Sequence, residues 1–214
     1  MNGMIEAIQN DARQTVAYTG LAEISAAVID AVRAVPRDRF VPEDARASAY
    51  ANTPLRIGHG QTISQPFIVA LMTELLEPAA GDRILEIGTG SGYQAAILGE
   101  LVAQVYTIEI VPELAETAAA RLDELGYRDV HVKAGDGWYG WPEAGPFDGI
   151  IVTAVSEQTP PELVEQLAPG GRLVLPLGPQ HGGQMLVVLT KAKDGSLERR
   201  DVLPVQFVPL TGDH

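Results

Sequence analysis

The chain has 214 residues, 46% of them hydrophobic and 20% charged, a composition typical of a soluble globular protein rather than a disordered one. Its 15 lysines and arginines against 28 aspartates and glutamates give a formal net charge of −13, which argues against nucleic-acid binding because phosphate recognition needs clustered cations. The lack of cysteine excludes disulfides and thiolate zinc sites, and the 4 histidines show no metal-ligand spacing.

The first part of the chain combines helices with a long irregular stretch. Apolar residues recur at helical spacing over positions 4–34, and Pro36 marks a stop, which predicts two N-terminal helices. Residues 37–64 contain several prolines and glycines and no clean period, so they predict a long ordered loop region. Such a loop in a compact domain is more often functional than idle.

From residue 65 onward, predicted strands alternate with predicted helices. The helices span 65–78, 92–102, 112–126 and 161–168, and the strands span 83–88, 104–110, 130–135, 147–154 and 171–178. This alternation predicts an α/β fold with a mostly parallel sheet covered by helices on both faces.

The tail of the chain breaks the alternation. In residues 184–210 the dipeptide Asp194-Gly195 separates two strand-like runs, which predicts an antiparallel hairpin at one edge of the sheet. We therefore expect one domain, in which residues 1–64 supply helices and site loops and residues 65–214 form the core with its C-terminal hairpin.

The segment LEIGTGSGY (85–93) carries the sharpest local chemistry. Gly88, Gly90 and Gly92 follow a hydrophobic strand and open a helix, so the backbone can turn tightly and approach a ligand. The dinucleotide fingerprint would need glycine at position 93, where the chain has Tyr93. Because Glu86 at the end of the strand would repel a pyrophosphate, a cationic ligand such as S-adenosylmethionine fits better.

Acidic residues also follow the next two strands. Glu109 lies 17 residues after Gly92, at an offset where an acid can accept hydrogen bonds from both hydroxyls of a ribose. Asp136 could accept from the amine of adenine, and Gly137 leaves room for the ring. Alone, Glu109 could be a surface charge and Asp136-Gly137 a plain turn. Together with the glycine-rich segment, at successive strand ends, they predict a nucleoside-type cofactor site.

Seven segments make the chain resemble the protein-L-isoaspartate O-methyltransferase family from about Phe40 to Leu210. They are FVPE (40–43), PLRIGHGQTISQP (54–66), ILEIGTGSGY (84–93), GDGW (135–138), PFDGIIVTA (146–154), GGRLVLPLG (170–178) and FVPL (207–210). The block around GHGQTISQP is highly specific, whereas the glycine-rich turn alone indicates only a class I methyltransferase.

The resemblance implies both a fold and an activity. The fold is the class I, Rossmann-like fold of S-adenosylmethionine-dependent methyltransferases, with added N-terminal segments. The cofactor is S-adenosyl-L-methionine, which leaves as S-adenosyl-L-homocysteine, and no metal is expected. The activity is methyl transfer to the α-carboxyl of L-isoaspartyl residues in damaged proteins and peptides, whose ester then cyclises to a succinimide.

The resemblance also implies the residues of a cofactor site. Ser64 matches the family's active-site serine, and its hydroxyl could position the acceptor carboxylate. Alternatively, Ser64 could simply be the N-cap of helix 65–78. The expected cofactor-binding residues are Thr62, Ile63, Glu86, Gly88, Thr89, Gly90, Gly92, Glu109, Ile110, Asp136 and Gly137.

Peptide-binding residues are implied in the same way. They are Val41, Pro42, Glu43, Ile57, Gly58, His59, Thr153 and Ala154. Val41 and Pro42 could instead serve loop packing, and His59 could be an exposed loop histidine without a role.

Two residues depart from the family pattern. Many relatives have alanine where this chain has Val155, and aspartate is common where Asn52 stands, which leaves the shape of the peptide groove open. Trp138 and Trp141 could stack on nucleobases, although packing in the core or in a pocket wall is the simpler interpretation.

Two other functions stay open. A class I methyltransferase acting on a small molecule or RNA predicts a different block before the glycine turn and, for RNA, a basic face. A non-catalytic cofactor-binding domain predicts loss of Ser64 or of the acids at 86, 109 and 136, all of which are present. Because no basic leader or long apolar run is present, we expect a cytoplasmic protein that does not bind a membrane. We expect a monomer because a repair enzyme must admit bulky chains to an open groove, and no nucleic-acid partner because of the net charge.

Overall fold

The computed structural model describes residues 1–213, which form six α-helices and nine β-strands. The helices are α1 (Asn2–Thr19), α2 (Ala26–Ala34), α3 (Pro66–Leu76), α4 (Tyr93–Gly99), α5 (Pro112–Glu124) and α6 (Pro161–Gln166). The strands are β1 (Leu55–Gly58), β2 (Gln61–Ile63), β3 (Arg83–Ile87), β4 (Gln104–Glu109), β5 (Val130–Ala134), β6 (Phe147–Val152), β7 (Leu167–Leu177), β8 (Gln184–Lys191) and β9 (Leu197–Val205).

Seven strands form one sheet in the order β5-β4-β3-β6-β7-β8-β9. The first five in this order run parallel to one another, and β8 and β9 are antiparallel. This confirms the predicted fold class, a mostly parallel sheet with an antiparallel C-terminal hairpin. The chain winds outward from β3 through β4 to β5 and then returns to β6 beside β3. Open α/β sheets bind ligands at such a reversal, outside the carboxyl ends of the strands.

The sheet is buried on both faces because its central strands are apolar almost throughout. Consecutive residues of a strand point to opposite faces. Accordingly, Ile84 packs into the cluster formed with α1, α2, α3 and α4, whereas Leu85 packs into the cluster formed with α6. The predicted helices on both faces and the two predicted N-terminal helices are thus confirmed.

The stretch predicted as a long loop contains regular structure. Two short 3-10 helices, Arg37–Phe40 and Glu43–Ser48, precede the antiparallel hairpin β1–β2, in which Leu55 pairs with Ile63 and Arg56 with Thr62. Strands of three and four residues are too short to show a period in the sequence. In residues 1–213, no helix is long and apolar enough to cross a membrane.

Candidate active site

The glycine turn joins β3 to α4 and is attached to two neighbouring strands. The Gly88 N–H donates to the carbonyl of Ile108 at 2.8 Å, and the Gly88 carbonyl accepts the hydroxyl of Thr153 at 2.8 Å. Gly88 has φ 94°, and a Cβ at this position would clash with Thr153 Oγ1. Glycine is therefore required here both by the backbone conformation and by the close approach of Thr153.

Glu86 is a fully buried carboxyl at the end of β3. Its Oε2 accepts the hydroxyl of Thr107 at 2.5 Å, whereas its Oε1 has no hydrogen-bond partner within the described chain. Burial raises the pKa of Glu86 to about 8, an effect that the Thr107 hydrogen bond opposes and the charge of Glu109 reinforces. Because a buried acceptor without a donor is costly, Oε1 marks a place where a ligand's donor group fits.

Glu109 ends β4 with its carboxylate held by backbone N–H groups on both sides. Oε2 accepts from Gly90 at 2.7 Å and Oε1 accepts from Val111 at 3.0 Å. A carboxylate oxygen has two lone pairs, so both oxygens can still accept from a ligand. The side chain is thus fixed in advance for binding a pair of adjacent hydroxyls.

Asp136 follows β5 and caps the 3-10 helix Gly137–Tyr139. Its Oδ1 accepts the N–H of Trp138 at 2.9 Å and its Oδ2 accepts the N–H of Asp213 at 3.2 Å. The next residue, Gly137, packs so closely under β3 that a Cβ would clash with the side chain of Ile87. The turn that the sequence suggested is therefore real, and it lies beside the glycine-rich segment.

A crevice runs along both sides of the glycine turn and collects most of the expected cofactor residues. Thr62, Gly88, Gly90 and Thr153 line both sides. The other expected residues in its walls are Ile63, Ser64, Glu86 and Thr89 on one side and Glu109, Ile110, Gly137 and Ala154 on the other. Gly92 is buried against Leu122.

A segment that the sequence analysis did not assign to the site forms one wall. Residues 208–211 line the crevice, and residues 203–208 line a neighbouring cleft. The segment is held by Val155, whose N–H donates to Val208 and whose carbonyl accepts from Leu210, both at 2.8 Å. Because Val155 acts here through its backbone, its departure from the family's alanine leaves this pairing intact. The family-like FVPL segment was the one sequence signal that could have placed these residues in the site. It was not assigned a role because it contains no chemically reactive side chain.

Ser64 lies where the crevice meets the neighbouring cleft, which has a volume of about 580 Å³. Its suggested role as a helix cap is wrong. The N-cap of α3 is Gln65, and the N–H of Phe67 in the first turn donates to Asn52 Oδ1 at 3.0 Å. The side chain of Asn52, which lies in a loop upstream of α3, therefore caps this helix.

Asn52 also connects the cleft to α1. Its amide donates to Asp11 Oδ2 at 2.8 Å, and Gln65 Nε2 donates to the same oxygen at 3.2 Å. An aspartate, which is common at position 52 in the family, could accept from Phe67 but could not donate to Asp11. The asparagine at position 52, where relatives commonly have aspartate, therefore suits the carboxylate of Asp11 on α1.

The expected peptide-binding residues are spread over three places. Thr153 lines both the cleft and the crevice, and Ala154 lines the crevice, with Ile57 packed near Gly90. Gly58 and His59 lie at the exposed tip of the β1–β2 hairpin, and Pro42 and Glu43 are also exposed. Val41 is 5% exposed and packs in the core, as the loop-packing alternative held.

The tryptophans serve packing. Trp138 is buried, and Trp141 makes an edge contact with Tyr106 at a centroid separation of 5.3 Å while Lys133 lies over its ring. Neither ring offers a free stacking platform, so the structural interpretation of both residues holds.

The polar groups that line the crevice suit S-adenosylmethionine. The unpartnered Glu86 Oε1 provides an acceptor for a cationic ligand, and the two fixed oxygens of Glu109 suit the hydroxyls of a ribose. In residues 1–213, no three metal-ligating side chains come together. The fold and this crevice define a class I, Rossmann-like S-adenosylmethionine-dependent methyltransferase.

Comparison with known families shows which family of methyltransferases the chain belongs to. Residues 14–214 match the model of the family Protein-L-isoaspartate(D-aspartate) O-methyltransferase. The chain belongs to this family, as its sequence motifs indicated, and it is a methyltransferase.

Individual relatives are similar over nearly the whole chain. Protein-L-isoaspartate O-methyltransferase 2 of Syntrophobacter fumaroxidans is 52% identical over 211 residues, which are 99% of this chain and 85% of that protein. Its namesake in Nitrosococcus oceani is 53% identical over 99% of this chain and 96% of that protein.

Solved structures show the same fold. A protein-L-isoaspartate O-methyltransferase superimposes with a TM-score of 0.84 at 28% identity, over 97% of this chain and 66% of that one. A Plasmodium falciparum protein solved in complex with S-adenosyl-L-homocysteine superimposes with a TM-score of 0.77 at 23% identity, over 97% of this chain and 98% of that one.

Proposed function

We propose that the protein transfers the methyl group of S-adenosylmethionine to the α-carboxyl of L-isoaspartyl residues in proteins and peptides. The observation that carries the proposal is the position of Ser64 at the junction of the acidic crevice and the open cleft. The names of the relatives and the family model support the same activity.

In this proposal, the crevice holds the cofactor and the cleft holds the peptide. Glu109 accepts from the ribose, Glu86 accepts from the cationic part of the cofactor, and Gly137 makes room for the adenine. When bound, S-adenosylmethionine supplies an electrophilic methyl group on a positively charged sulfur. The remaining chemistry depends on how the protein presents the acceptor.

The acceptor needs no general base. A carboxyl with an ordinary pKa of about 4 is already ionised at neutral pH, so its oxygen is a nucleophile as it arrives. The hydroxyl of Ser64 donates to one carboxylate oxygen and leaves the other free to react. Holding the reacting atoms in line is then the main source of acceleration.

A peptide that fills the cleft displaces water from around the acceptor. Most of its walls are apolar, from Phe67 and Ile68 of α3 and from Leu203 and Phe207 near the C-terminus. Removal of water strengthens the hydrogen bond from Ser64 and prevents hydration of the carboxylate.

Selectivity follows from geometry. An isoaspartyl residue carries its free α-carboxylate on a shorter arm than the side chain of aspartate and has one more carbon in its backbone. We propose that the backbone near Thr153 and Ala154 holds the peptide extended, so that only the shorter arm reaches Ser64 correctly. Misplacement by about 1 Å could cost around a hundredfold in rate.

We further propose that the enzyme acts as a cytoplasmic monomer without a nucleic-acid partner. The cleft is open to solvent on a single chain, so it admits bulky substrates without a second subunit, and the net charge of −13 opposes binding of nucleic acid.

The proposed function is tested by identifying the product. The protein is incubated with S-adenosylmethionine and an isoaspartyl peptide, and mass spectrometry follows the peptide. We expect addition of one methyl group, then loss of methanol as the succinimide forms, and then a mixture of isoaspartyl and aspartyl peptides. Transfer to an RNA or a small acid with comparable efficiency, and none to the peptide, would instead support the other methyltransferase classes.

A further inference from the structure

Arg37 is a fully buried arginine that contacts the backbone of the active-site serine. It begins the 3-10 helix Arg37–Phe40, and its side chain is 0% exposed. Nη2 donates to the carbonyl of Ser64 at 2.7 Å, and Nε donates to the carbonyl of Ala49 at 2.9 Å. One guanidinium thus connects two loops that are far apart in the sequence.

The charge of Arg37 is not balanced by any acid. Among residues 1–213, no carboxylate lies within ion-pair distance of Arg37, and its Nη1 has no acceptor. The guanidinium stays protonated at neutral pH. Because burying a charge without a partner costs several kcal/mol, an unpaired buried cation calls for an explanation.

Tyr93 connects Arg37 to the crevice. Arg37 Cζ lies 4.7 Å from the centroid of the Tyr93 ring, and Tyr93 lines the crevice together with Ser64. The guanidinium is therefore directly behind the wall at which the crevice and the cleft meet.

The acceptor meets an unfavourable field without Arg37. It is an anion, it must approach a site that contains the carboxylate of Glu109, and the whole protein carries a net charge of −13. Charges interact strongly over short distances in a site from which water is excluded. A cation behind Ser64 offsets this repulsion at the place where the carboxylate must stop.

We propose that Arg37 is a positioning residue for methyl transfer, which fixes the backbone of Ser64 and favours the anionic acceptor through its unpaired charge. This role rests on the proposed function, because it requires a carboxylate as the acceptor. Arg37 acts through Ser64 and does not itself contact the reacting atoms.

The test compares Arg37→Gln, which removes the charge, with Arg37→Lys, which keeps it but loses the forked donor. Steady-state kinetics with an isoaspartyl peptide give kcat and KM, and calorimetry gives the affinity for S-adenosyl-L-homocysteine. The control is Arg172→Gln, since Arg172 also donates to a backbone carbonyl, that of Leu75, but lies outside the site, is only partly buried and is paired with Glu77.

We expect Arg37→Gln to lower kcat/KM at least about tenfold, with part of the loss in KM, while affinity for S-adenosyl-L-homocysteine stays within about threefold. Arg37→Lys should recover much of this loss, and Arg172→Gln should keep the wild-type kcat/KM. The proposal is overturned if Arg37→Gln keeps the wild-type kcat/KM, if cofactor affinity falls in parallel, or if lysine recovers nothing.

Two further outcomes are distinguishable. If Arg37→Gln does not fold, Arg37→Lys decides alone: a loss in kcat/KM of about threefold, and less than about tenfold, without a change in cofactor affinity supports the role. No loss, or a loss of about tenfold or more, contradicts it. If the wild-type protein does not methylate the isoaspartyl peptide, the proposed function itself fails, whatever the variants do.

Discussion

Glu109 Oε2 and the backbone N–H of Gly90 lie 2.7 Å apart, which connects the end of β4 to the glycine turn after β3. The same carboxylate also accepts from Val111. Glu109 is therefore positioned before any ligand binds, and a ligand that bonds to it does not need to order the side chain.

We expect Glu109→Ala to weaken S-adenosyl-L-homocysteine at least tenfold, or about 1.4 kcal/mol, because both ribose acceptors and their support of the turn are lost. Calorimetry measures the affinity. Glu116→Ala, an exposed acid on α5, is the matched control and should bind normally. Unchanged affinity in a folded Glu109→Ala protein would remove Glu109 from the cofactor site.

Ser64→Ala should lower kcat while melting temperature and cofactor affinity change little. The physical reason is that the cap of α3 is provided by Asn52, so Ser64 is free to orient the acceptor. Kinetics and calorimetry on the same preparation separate these effects. Full activity with a lower melting temperature would show that Ser64 serves the fold instead.

Asn52→Asp should destabilise the protein by about 1–3 kcal/mol at neutral pH, because the donor to Asp11 is replaced by a second carboxylate. Adding Asp11→Asn restores one donor and one acceptor across this contact. We therefore expect the double variant to recover at least half of the loss in chemical denaturation. If the two changes simply add, the contact does not contribute to stability.

The buried carboxyl of Glu86 makes stability depend on pH. Its pKa rises from 4.5 to about 8 on folding, so its contribution is fully present below about pH 4.5 and is lost as the pH rises toward 8. We expect the stability of the wild type relative to Glu86→Gln to fall with pH between about 5 and 8, by at most about 1.4 kcal/mol per pH unit. Parallel curves for the two proteins, from urea denaturation across this range, would contradict the pKa shift.

The sequence predicts the sheet and the glycine turn well because their signals are local. Burial of the sheet requires the apolar runs that form β3 and β6, and the tight turn requires the spaced glycines between residues 88 and 92. Each of these signals lies within a few positions of the sequence. The positions of the acidic residues at the strand ends could be predicted from their distance in sequence to this turn.

Other parts of the site depend on contacts between distant residues. Arg37 reads as one of several charged residues in a polar stretch, yet it is buried beneath Ser64, 27 positions away. Asn52 reads as a loop residue, yet it caps α3 from 15 positions upstream of Phe67. Residues 208–211 complete the crevice through backbone hydrogen bonds with Val155. Backbone pairing does not depend on particular side chains, so the sequence does not show it.

The central claim is that the cleft recognises the carboxylate of an isoaspartyl residue together with the chain that carries it. The most direct measurement is the rate of methyl transfer to two peptides of one sequence, one with an isoaspartyl and the other with an aspartyl residue at the same position. We expect kcat/KM for the isoaspartyl peptide to be higher by around a hundredfold or more, since in this account the aspartyl carboxylate would be misplaced by about 1 Å or more. Comparable methylation of both peptides would contradict the account.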